Sequence, residues 1–265
     1  MKLLIDAGNT RIKWALVRGD EWLRSGTLPV KLASELSSQV ADGPESHDPA
    51  TVSGQTMAGG FAGAGLRGIS QIWASNVAGA EVARQIRELG IEQMHIITAQ
   101  THQCGVRNGY ANAAQLGSDR WAALIAAWHQ VRGKCLVVSC GTATTIDALS
   151  AQGEFLGGLI LPGVDLMQRS LAGATDKLKT GRGVYRGVYM PFPQNTADAL
   201  FSGAVQASCG AIERQRALLD DDGVPVMLSG GAAGILQPYL GGPTLGMDNL
   251  VLRGLLLIAQ EAGAR

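Results

Sequence analysis

Short apolar runs that end in small polar turns open the chain. The run Leu3–Ile5 leads directly into Asp6-Ala7-Gly8-Asn9-Thr10, and a second strand-like run extends from Ile12 to Val17. Apolar runs separated by Asp, Gly and Asn predict a β-hairpin. A plain hairpin has no need of an aspartate at the end of its buried strand, or of Lys13 just past the turn. The pattern therefore indicates that a bound ligand supplies the partner of these charges.

The same pattern returns in the second half of the chain. The segment LLIDAGNTRIKWALVRGDEWL, from Leu3, aligns without gaps with LVVSCGTATTIDALSAQGEFL, from Leu136. Each copy has the order strand, Gly/Thr turn, strand, polar turn, strand. Chance similarity is an alternative in a chain this rich in Gly and Ala, but the shared order of elements favours an internal duplication.

Later elements follow the same duplication. They are two strands that run into small-residue turns (69–79 and 224–234) and two closing helices (117–131 and 249–262). Each half has the order β-β-β-α-β-α with a closing strand and helix. Hairpins followed by αβ units predict an α/β fold in which helices flank mixed sheets. The predicted halves are 1–116 and 117–265, and the Gly- and Ala-rich segment 41–68 is predicted to be a surface connection.

Composition narrows the functional class. The 265 residues are 46% hydrophobic, and 22 basic residues balance 22 acidic ones. Neither nucleic acid nor an anionic membrane is therefore the expected partner. No apolar run is long enough to span a membrane, no signal-peptide pattern opens the chain, and the four cysteines form no CxxC motif. A cytoplasmic protein with reduced thiols is expected.

The two hairpin turns are suited to phosphate. Glycine lets the backbone approach a ligand closely, and the N–H groups and hydroxyls of Gly8–Thr10 and Gly141–Thr145 can form an anion-binding nest. Lys13 adds a positive charge for terminal phosphates, and Asp6 is suited to hydrated magnesium. For each turn alone an ordinary hairpin with an Asx-type turn is the better interpretation. The duplicated pair instead favours two loops that hold one ligand across a cleft.

Three segments of the chain carry a family resemblance. Asp6-x-Gly8-Asn9-Thr10-x-x-Lys13, Gly117-Ser118-Asp119-Arg120 and Gly141-Thr142-Ala143-x-Thr145 resemble the three motifs of type III pantothenate kinases. Gly157-Gly158-x-Ile160-x-Pro162-Gly163 and Asn195-Thr196 also fit, and the resemblance covers essentially the whole chain. It implies duplicated actin-like (ASKHA, ribonuclease H-like) domains. It also implies ATP-dependent phosphorylation of pantothenate to 4'-phosphopantothenate, the first step of coenzyme A biosynthesis, with Mg2+ or a similar divalent cation.

The resemblance also implies roles for individual residues. The ATP-binding residues are Asp6, Ala7, Gly8, Asn9, Thr10, Arg11, Ile12, Lys13 and Thr142, with Asp6 holding Mg2+ through water. The substrate-binding residues are Tyr110, Gly117, Ser118, Asp119, Arg120 and Thr196, and Thr196 reaches pantothenate from the neighbouring subunit of a homodimer. Asp119 is the general base, because phosphoryl transfer needs a carboxylate that accepts the proton of the acceptor hydroxyl.

Several of these side chains also have an ordinary structural interpretation. Asp119 stands where a helix begins, and a carboxylate there is favoured by the helix dipole. Arg120 fits a solvated first helical turn, Tyr110 fits a loop aromatic, and Thr196 fits a helix N-cap. The helix predicted over 117–131 carries an apolar stripe next to Asp119, which predicts either an ordinary core or a dimer surface. The stripe consists of Trp121, Leu124, Ile125 and Trp128.

One departure from the family pattern concerns a monovalent cation. The family commonly has Asp-x-Gly-Thr-Ala in the second turn, and its aspartate binds K+ or NH4+, whereas this chain has Ser139 at that position. A monovalent-cation site is therefore doubtful, unless Asp147 or backbone carbonyls rebuild it. The alternative function is a non-enzymatic, transcription-linked accessory factor of the same fold. The neutral net charge and the lack of a basic recognition helix argue against direct DNA binding.

Overall fold

The predicted hairpin opens the structure, a computed structural model that describes residues 1–42, 66, 68–174, 187–219 and 223–264. The first elements are β1 (Lys2–Ala7), β2 (Arg11–Arg18), β3 (Glu21–Pro29), a 3-10 helix (Val30–Glu35), α1 (Leu36–Asp42), β4 (Gln71–Asn76), α2 (Ala80–Arg87) and β5 (Gln93–Ile96). These five strands form a sheet in the order β3-β2-β1-β4-β5. Strands β1 to β3 are antiparallel, whereas β4 and β5 run parallel to β1, so the sheet is mixed as predicted.

The second half of the chain repeats this topology. Its elements follow the short strands β6 (His102–Gln103) and β7 (Val106–Asn108) and the helix α3 (Ser118–Val131). They are β8 (Cys135–Cys140), β9 (Ala143–Leu149), β10 (Glu154–Pro162), α4 (Val164–Ala174), α5 (Thr196–Ala217), β11 (Val226–Ser229), α6 (Ala233–Leu236), β12 (Thr244–Gly246) and α7 (Leu250–Gly263). The order β10-β9-β8-β11-β12 matches β3-β2-β1-β4-β5 strand for strand, with β7 beside β10. The predicted duplicated α/β fold is confirmed.

The compact units of the structure do not coincide with the two repeats. The first unit comprises Met1–Cys104, Asn112–Ala126 and Val251–Arg265, and the second comprises Gly105–Ala111 and Ala127–Leu250. The division into 1–116 and 117–265 stays a prediction, and α3, which closes the first repeat, contributes to both units. The units differ from the repeats because α7 and the first part of α3 pack with the first sheet. For example, Lys2 Nζ donates to the carbonyl of Ala259 at 3.3 Å.

Most predicted helices form close to their expected bounds. The helix predicted over 117–131 is α3, and the one predicted over 249–262 is α7. In the first unit the two helices approach so closely that a side chain at Gly254 would collide with the carbonyl oxygen of Ala122. Among the described helices, none is long and apolar enough to cross a lipid bilayer. The predicted connection over 41–68 lies almost entirely outside the described residues.

Side chains along β1 alternate between the two faces of the sheet. One face belongs to the hydrophobic core, and Asp6 lies on the other. Leu3, Ile5 and Ala7 belong to a buried cluster, which also contains Ile12 and Trp14 of β2. Successive side chains of a strand point to opposite faces of the sheet. Asp6 therefore points away from this cluster, at the end of β1 where the chain enters its turn.

Candidate active site

The first turn of the chain places a carboxylate beside a lysine. Asp6 pairs with Lys13 across the hairpin and with Ser75 on the parallel strand β4. The N–H of Gly8 donates to the carbonyl of Arg11 at 3.0 Å and closes the turn. This arrangement puts the charged pair at the base of the turn, as the sequence predicts.

The other predicted nucleotide-binding residues divide into exposed and buried ones. Asn9, Thr10 and Arg11 are exposed at the turn, where their backbone and side chains are accessible to a ligand. Ala7 and Ile12 are buried in the core of the first unit, so their side chains support the turn from below. Any contact of these two residues with a ligand would have to come from the backbone.

The start of α3 holds Asp119 in a fixed orientation. Asp119 is the second residue of this helix, and the N–H of Trp121 donates to the carbonyl of Gly117 at 2.9 Å. The Asp119 Oδ1 atom accepts the N–H of Arg120 at 2.8 Å. A Cβ atom at Gly117 would lie 2.6 Å from the same oxygen, so a side chain there would displace the carboxylate from this position. The carboxylate is thus locked against the helix start.

Electrostatics link Asp6 to Asp119 within the first unit. Burial raises the pKa of Asp6 from 3.8 to about 7, the charge of Lys13 lowers it, and the charge of Asp119 raises it. A desolvated carboxyl group whose ionisation is opposed by a second acidic side chain, with one lysine close by, forms a site that lacks positive charge. Perturbed carboxyl groups of this kind are typical of functional sites.

The donor set of this site fits a divalent cation. Carboxylate oxygens are the ligands that Mg2+ prefers, and Mg2+ commonly binds to one or two carboxylates together with substrate phosphates and water. Asp6 is suited to hold the ion, because a cation would supply the charge that its desolvated carboxylate lacks. Within the described ranges, no cluster of three or more His, Cys, Asp or Glu side chains could bind a metal. Phosphate and water oxygens would therefore complete the coordination.

The second turn is surrounded by close backbone contacts in the second unit. Strands β8 and β11 are parallel, and Ser139 pairs with Ser229 where they end. The N–H of Gly163 donates to the carbonyl of Thr142 at 2.9 Å, and a side chain at Gly163 would collide with the turn. Thr142 itself is exposed at the tip of the turn.

The sequence analysis missed the role of two glycines beside this turn. Gly163 precedes α4, and Gly230 has a φ of 99° and would collide with Cys140 if it carried a side chain. The available signal was the segment 224–234, whose turn contains two glycines and follows the strand that echoes β4. Its significance depends on the pairing of β8 with β11, which only the structure shows.

The doubtful cation site has no carboxylate opposite Ser139. The residue that pairs with Ser139 on β9 is Thr145. Asp147 is buried, pairs with Val137, and belongs to the same face of the sheet as Ser139. A site rebuilt by Asp147 would therefore lie deeper in the sheet than position 139.

The predicted substrate residues belong to different units. Arg120 is buried in α3 of the first unit, whereas Tyr110 is partly buried in the second, its ring 5.1 Å from that of Phe155. Thr196 is the exposed first residue of α5. The prediction that Thr196 caps this helix is wrong, because the Asn195 side chain accepts the N–H of Asp198 and is the cap.

The apolar stripe of α3 is core rather than a surface between subunits. Trp121, Leu124 and Ile125 are fully buried within the chain, and the indole N–H of Trp121 donates to Gln103 Oε1 at 2.9 Å. Trp128 is partly buried and contacts Gly105 and Gly153 in the second unit. The stripe therefore gives no support to a dimer, although it correctly predicted a buried helix face.

Comparison with known structures identifies the class. A protein described as a Baf family transcriptional activator from Campylobacter jejuni has a TM-score of 0.58 at 20% identity, over 99% of this chain and 100% of its own. A protein described as a 2-dehydro-3-deoxygalactonokinase from Sinorhizobium meliloti has a TM-score of 0.54 at 13% identity, over 99% of both chains. At these identities the likeness shows the fold alone. The shared fold is a duplicated α/β architecture in which helices flank mixed sheets.

Sequence comparison identifies the family. The profile described as type III pantothenate kinase matches residues 2–217. The type III pantothenate kinase of Aromatoleum aromaticum is 45% identical over 100% of both chains. That of Nitrosospira multiformis is 46% identical over 98% of this chain and 91% of its own. The chain belongs to the type III pantothenate kinase family.

Proposed function

We propose that this chain transfers the γ-phosphoryl group of ATP to pantothenate, with Asp119 as the general base. As a type III pantothenate kinase, the enzyme produces 4'-phosphopantothenate in the first step of coenzyme A biosynthesis. The observation that supports the residue roles is the grouping of Asp6, Lys13 and Asp119 in one electrostatic site. The alternative of a non-enzymatic accessory factor is not favoured, because the full-length relatives are kinases.

The first turn binds the phosphates of ATP. The Gly8–Thr10 turn offers backbone N–H groups and hydroxyls, and Lys13 offers a charge beside them. The ATP contact of Thr142, which belongs to the second unit, stays a prediction. Asp6 holds magnesium, which supplies countercharge to the β- and γ-phosphates when it is bound. The pKa of Asp6, raised to about 7, favours binding of a cation that allows the group to ionise.

Asp119 accepts the proton of the substrate hydroxyl. The Oδ1 atom is engaged by the Arg120 N–H, so Oδ2 receives the proton as the hydroxyl oxygen bonds to the γ-phosphorus. The bond from this phosphorus to the β–γ bridging oxygen breaks at the same time, and ADP leaves with that oxygen. The Arg120 guanidinium, in the adjacent helical position, is suited to the carboxylate of pantothenate. The substrate contact of Tyr110, which belongs to the second unit, stays a prediction.

A second copy of the chain completes the enzyme. The second unit exposes large apolar side chains on β10, α4 and the segment before α5, including Ile160 at 65%, Val188 at 67% and Phe192 at 89%. A groove of about 740 Å³ between α4 and α5 has Thr196 in its lining. Exposed apolar surface of this kind is typical of an interface. A homodimer would cover it and bring Thr196 to the partner's substrate.

The test is pantothenate-dependent release of ADP by the purified chain. Asp119→Asn is expected to lower kcat by about 10²- to 10⁴-fold while ATP still binds, because the amide cannot accept the proton. Glu81→Gln makes the same change in the first turn of α2, in the same unit, and should leave kcat unchanged. Activity of Asp119→Asn within a few-fold of the parent would refute the role of Asp119.

A further inference from the structure

Two buried hydroxyls meet beside the proposed catalytic carboxylates. The Oγ atoms of Ser75 and Ser118 are 2.8 Å apart, and the two residues are 0% and 9% exposed. Ser75 lies on β4, where it pairs in register with Asp6 of β1. Ser118 is the first residue of α3 and precedes Asp119. One hydrogen bond therefore joins the strand next to Asp6 with the helix that carries Asp119.

From this geometry we infer that Ser75 is a positioning residue for phosphoryl transfer, which acts through Ser118 on Asp119. The N–H of Arg120 holds the Asp119 carboxylate relative to its own helix. The Ser75–Ser118 bond fixes the start of that helix relative to the strand beside β1. Since Asp6 ends β1, this bond sets the distance between the phosphate-binding turn and the base.

The inference gives the Ser118 hydroxyl a different role from the substrate contact that the family resemblance implies. A hydroxyl donates one hydrogen bond and accepts two, so a bond with Ser75 does not by itself exclude a substrate contact. The two roles predict different kinetics. A substrate contact would change KM for pantothenate, whereas a positioning bond would change kcat. Ser75 separates the two, because it is fully buried on β4 and has no surface to offer a substrate.

The inference rests on the proposed role of Asp119, so parent, Asp119→Asn, Ser75→Ala, Ser118→Ala and the double serine variant are assayed together. Misplacement of a reacting group by a fraction of an ångström is costly, so Ser75→Ala should lower kcat by about tenfold. KM for ATP and for pantothenate should stay within about twofold of the parent values. Ser118→Ala should have the same effect, and the double variant should be no slower than either single one.

Ser208→Ala is the matched control. Ser208 is a buried serine of α5 whose hydroxyl donates to the carbonyl of Ala204 at 2.9 Å, so its replacement also removes one buried hydrogen bond. It belongs to the second unit and should leave kcat unchanged. If Ser75→Ala does not fold, Ser118→Ala tests the same bond from its other end, with Ser208→Ala as the measure of a structural effect.

The possible failures are distinguishable. An inactive parent refutes the proposed function, and an active Asp119→Asn variant refutes the role of the base; the inference falls in both cases. If Asp119→Asn is inactive but Ser75→Ala keeps parental kcat, the positioning role alone is overturned. It is also overturned if Ser118→Ala raises KM for pantothenate and the serine effects multiply in the double variant.

Discussion

Replacement of Asp6 by asparagine should make the protein more stable and inactive at the same time. The pKa of Asp6 is raised from 3.8 to about 7 because burial disfavours the charged carboxylate. Lys13 offsets part of this effect, and the nearby charge of Asp119 adds to it. At pH 8 the folded protein must hold an ionised Asp6 that the unfolded chain holds more easily. Asparagine removes that charge with little change of shape.

The magnitude and the sign follow from linkage. Between the unfolded pKa of 3.8 and the folded pKa of about 7, the folded state binds more protons than the unfolded chain. The free energy of unfolding therefore falls as pH rises through this window, by up to about 1.4 kcal/mol per pH unit. The full shift corresponds to about 4 kcal/mol. Because water and local relaxation reduce such penalties, Asp6→Asn should gain about 2 to 4 kcal/mol at pH 8 and much less at pH 4.

The assay is unfolding of parent and Asp6→Asn at a series of pH values between 4 and 8, without nucleotide. Each kcal/mol is worth about 2–4 °C in the apparent midpoint for a chain of this size. Saturating Mg-ATP should raise the midpoint of the parent by more than that of the variant, because the variant lacks the metal-binding carboxylate. Glu92→Gln, at an exposed carboxylate of the same unit, is the control and should show no pH-dependent gain. A gain that does not depend on pH, or a loss at pH 8, would refute the reasoning.

Three further predictions concern packing, assembly and ions. Gly254→Ala should destabilise the protein by about 1–3 kcal/mol in urea unfolding, because its methyl group collides with the α3 backbone, whereas Gly210→Ala in α5 has open space and should stabilise it slightly. Phe192→Asp should convert a dimer into monomers in sedimentation experiments and lower activity, and Leu218→Asp should not; a fully active parental monomer would contradict this. The parent should show weak potassium activation of turnover, and Ser139→Asp should gain activation; strong activation of the parent would count against the reasoning.

Local patterns predicted the elements and the position of Asp119 at a helix start. The alternation of Leu3 to Asp6 with the following glycine turn gave the hairpin, and the apolar spacing after Gly117 gave α3 with Asp119 at its start. These features depend on residues close together in the chain. The stripe of α3 was equally visible, but periodicity shows only that a helix face is buried and not what covers it.

Features that depend on tertiary pairing could not be predicted. The Ser75–Ser118 bond requires the packing of α3 beside β4, and the contact of Gly230 with Cys140 requires the register of β11 against β8. The compact units also differ from the two repeats, because α7 and the first part of α3 both pack with the first sheet. Asn195 and Thr196 both stand at the start of α5, and both residue types are good helix caps. The structure shows that Asn195 is the cap, which depends on backbone geometry and not on residue type.

The two copies of the turn differ in both length and charge, and the charge difference bears on the predicted ion dependence. Asp6 pairs with Lys13, whereas Ser139 pairs with Thr145, because the second turn is shorter by one residue. The ungapped alignment placed Ile146 opposite Lys13 and concealed this change. Even with a lysine beside it, Asp6 has a pKa of about 7. A carboxylate at position 139 would face Thr145, whose buried hydroxyl cannot compensate a negative charge, and would need a bound cation in order to ionise. Serine at this position carries no charge, so we expect turnover without a cation bound there.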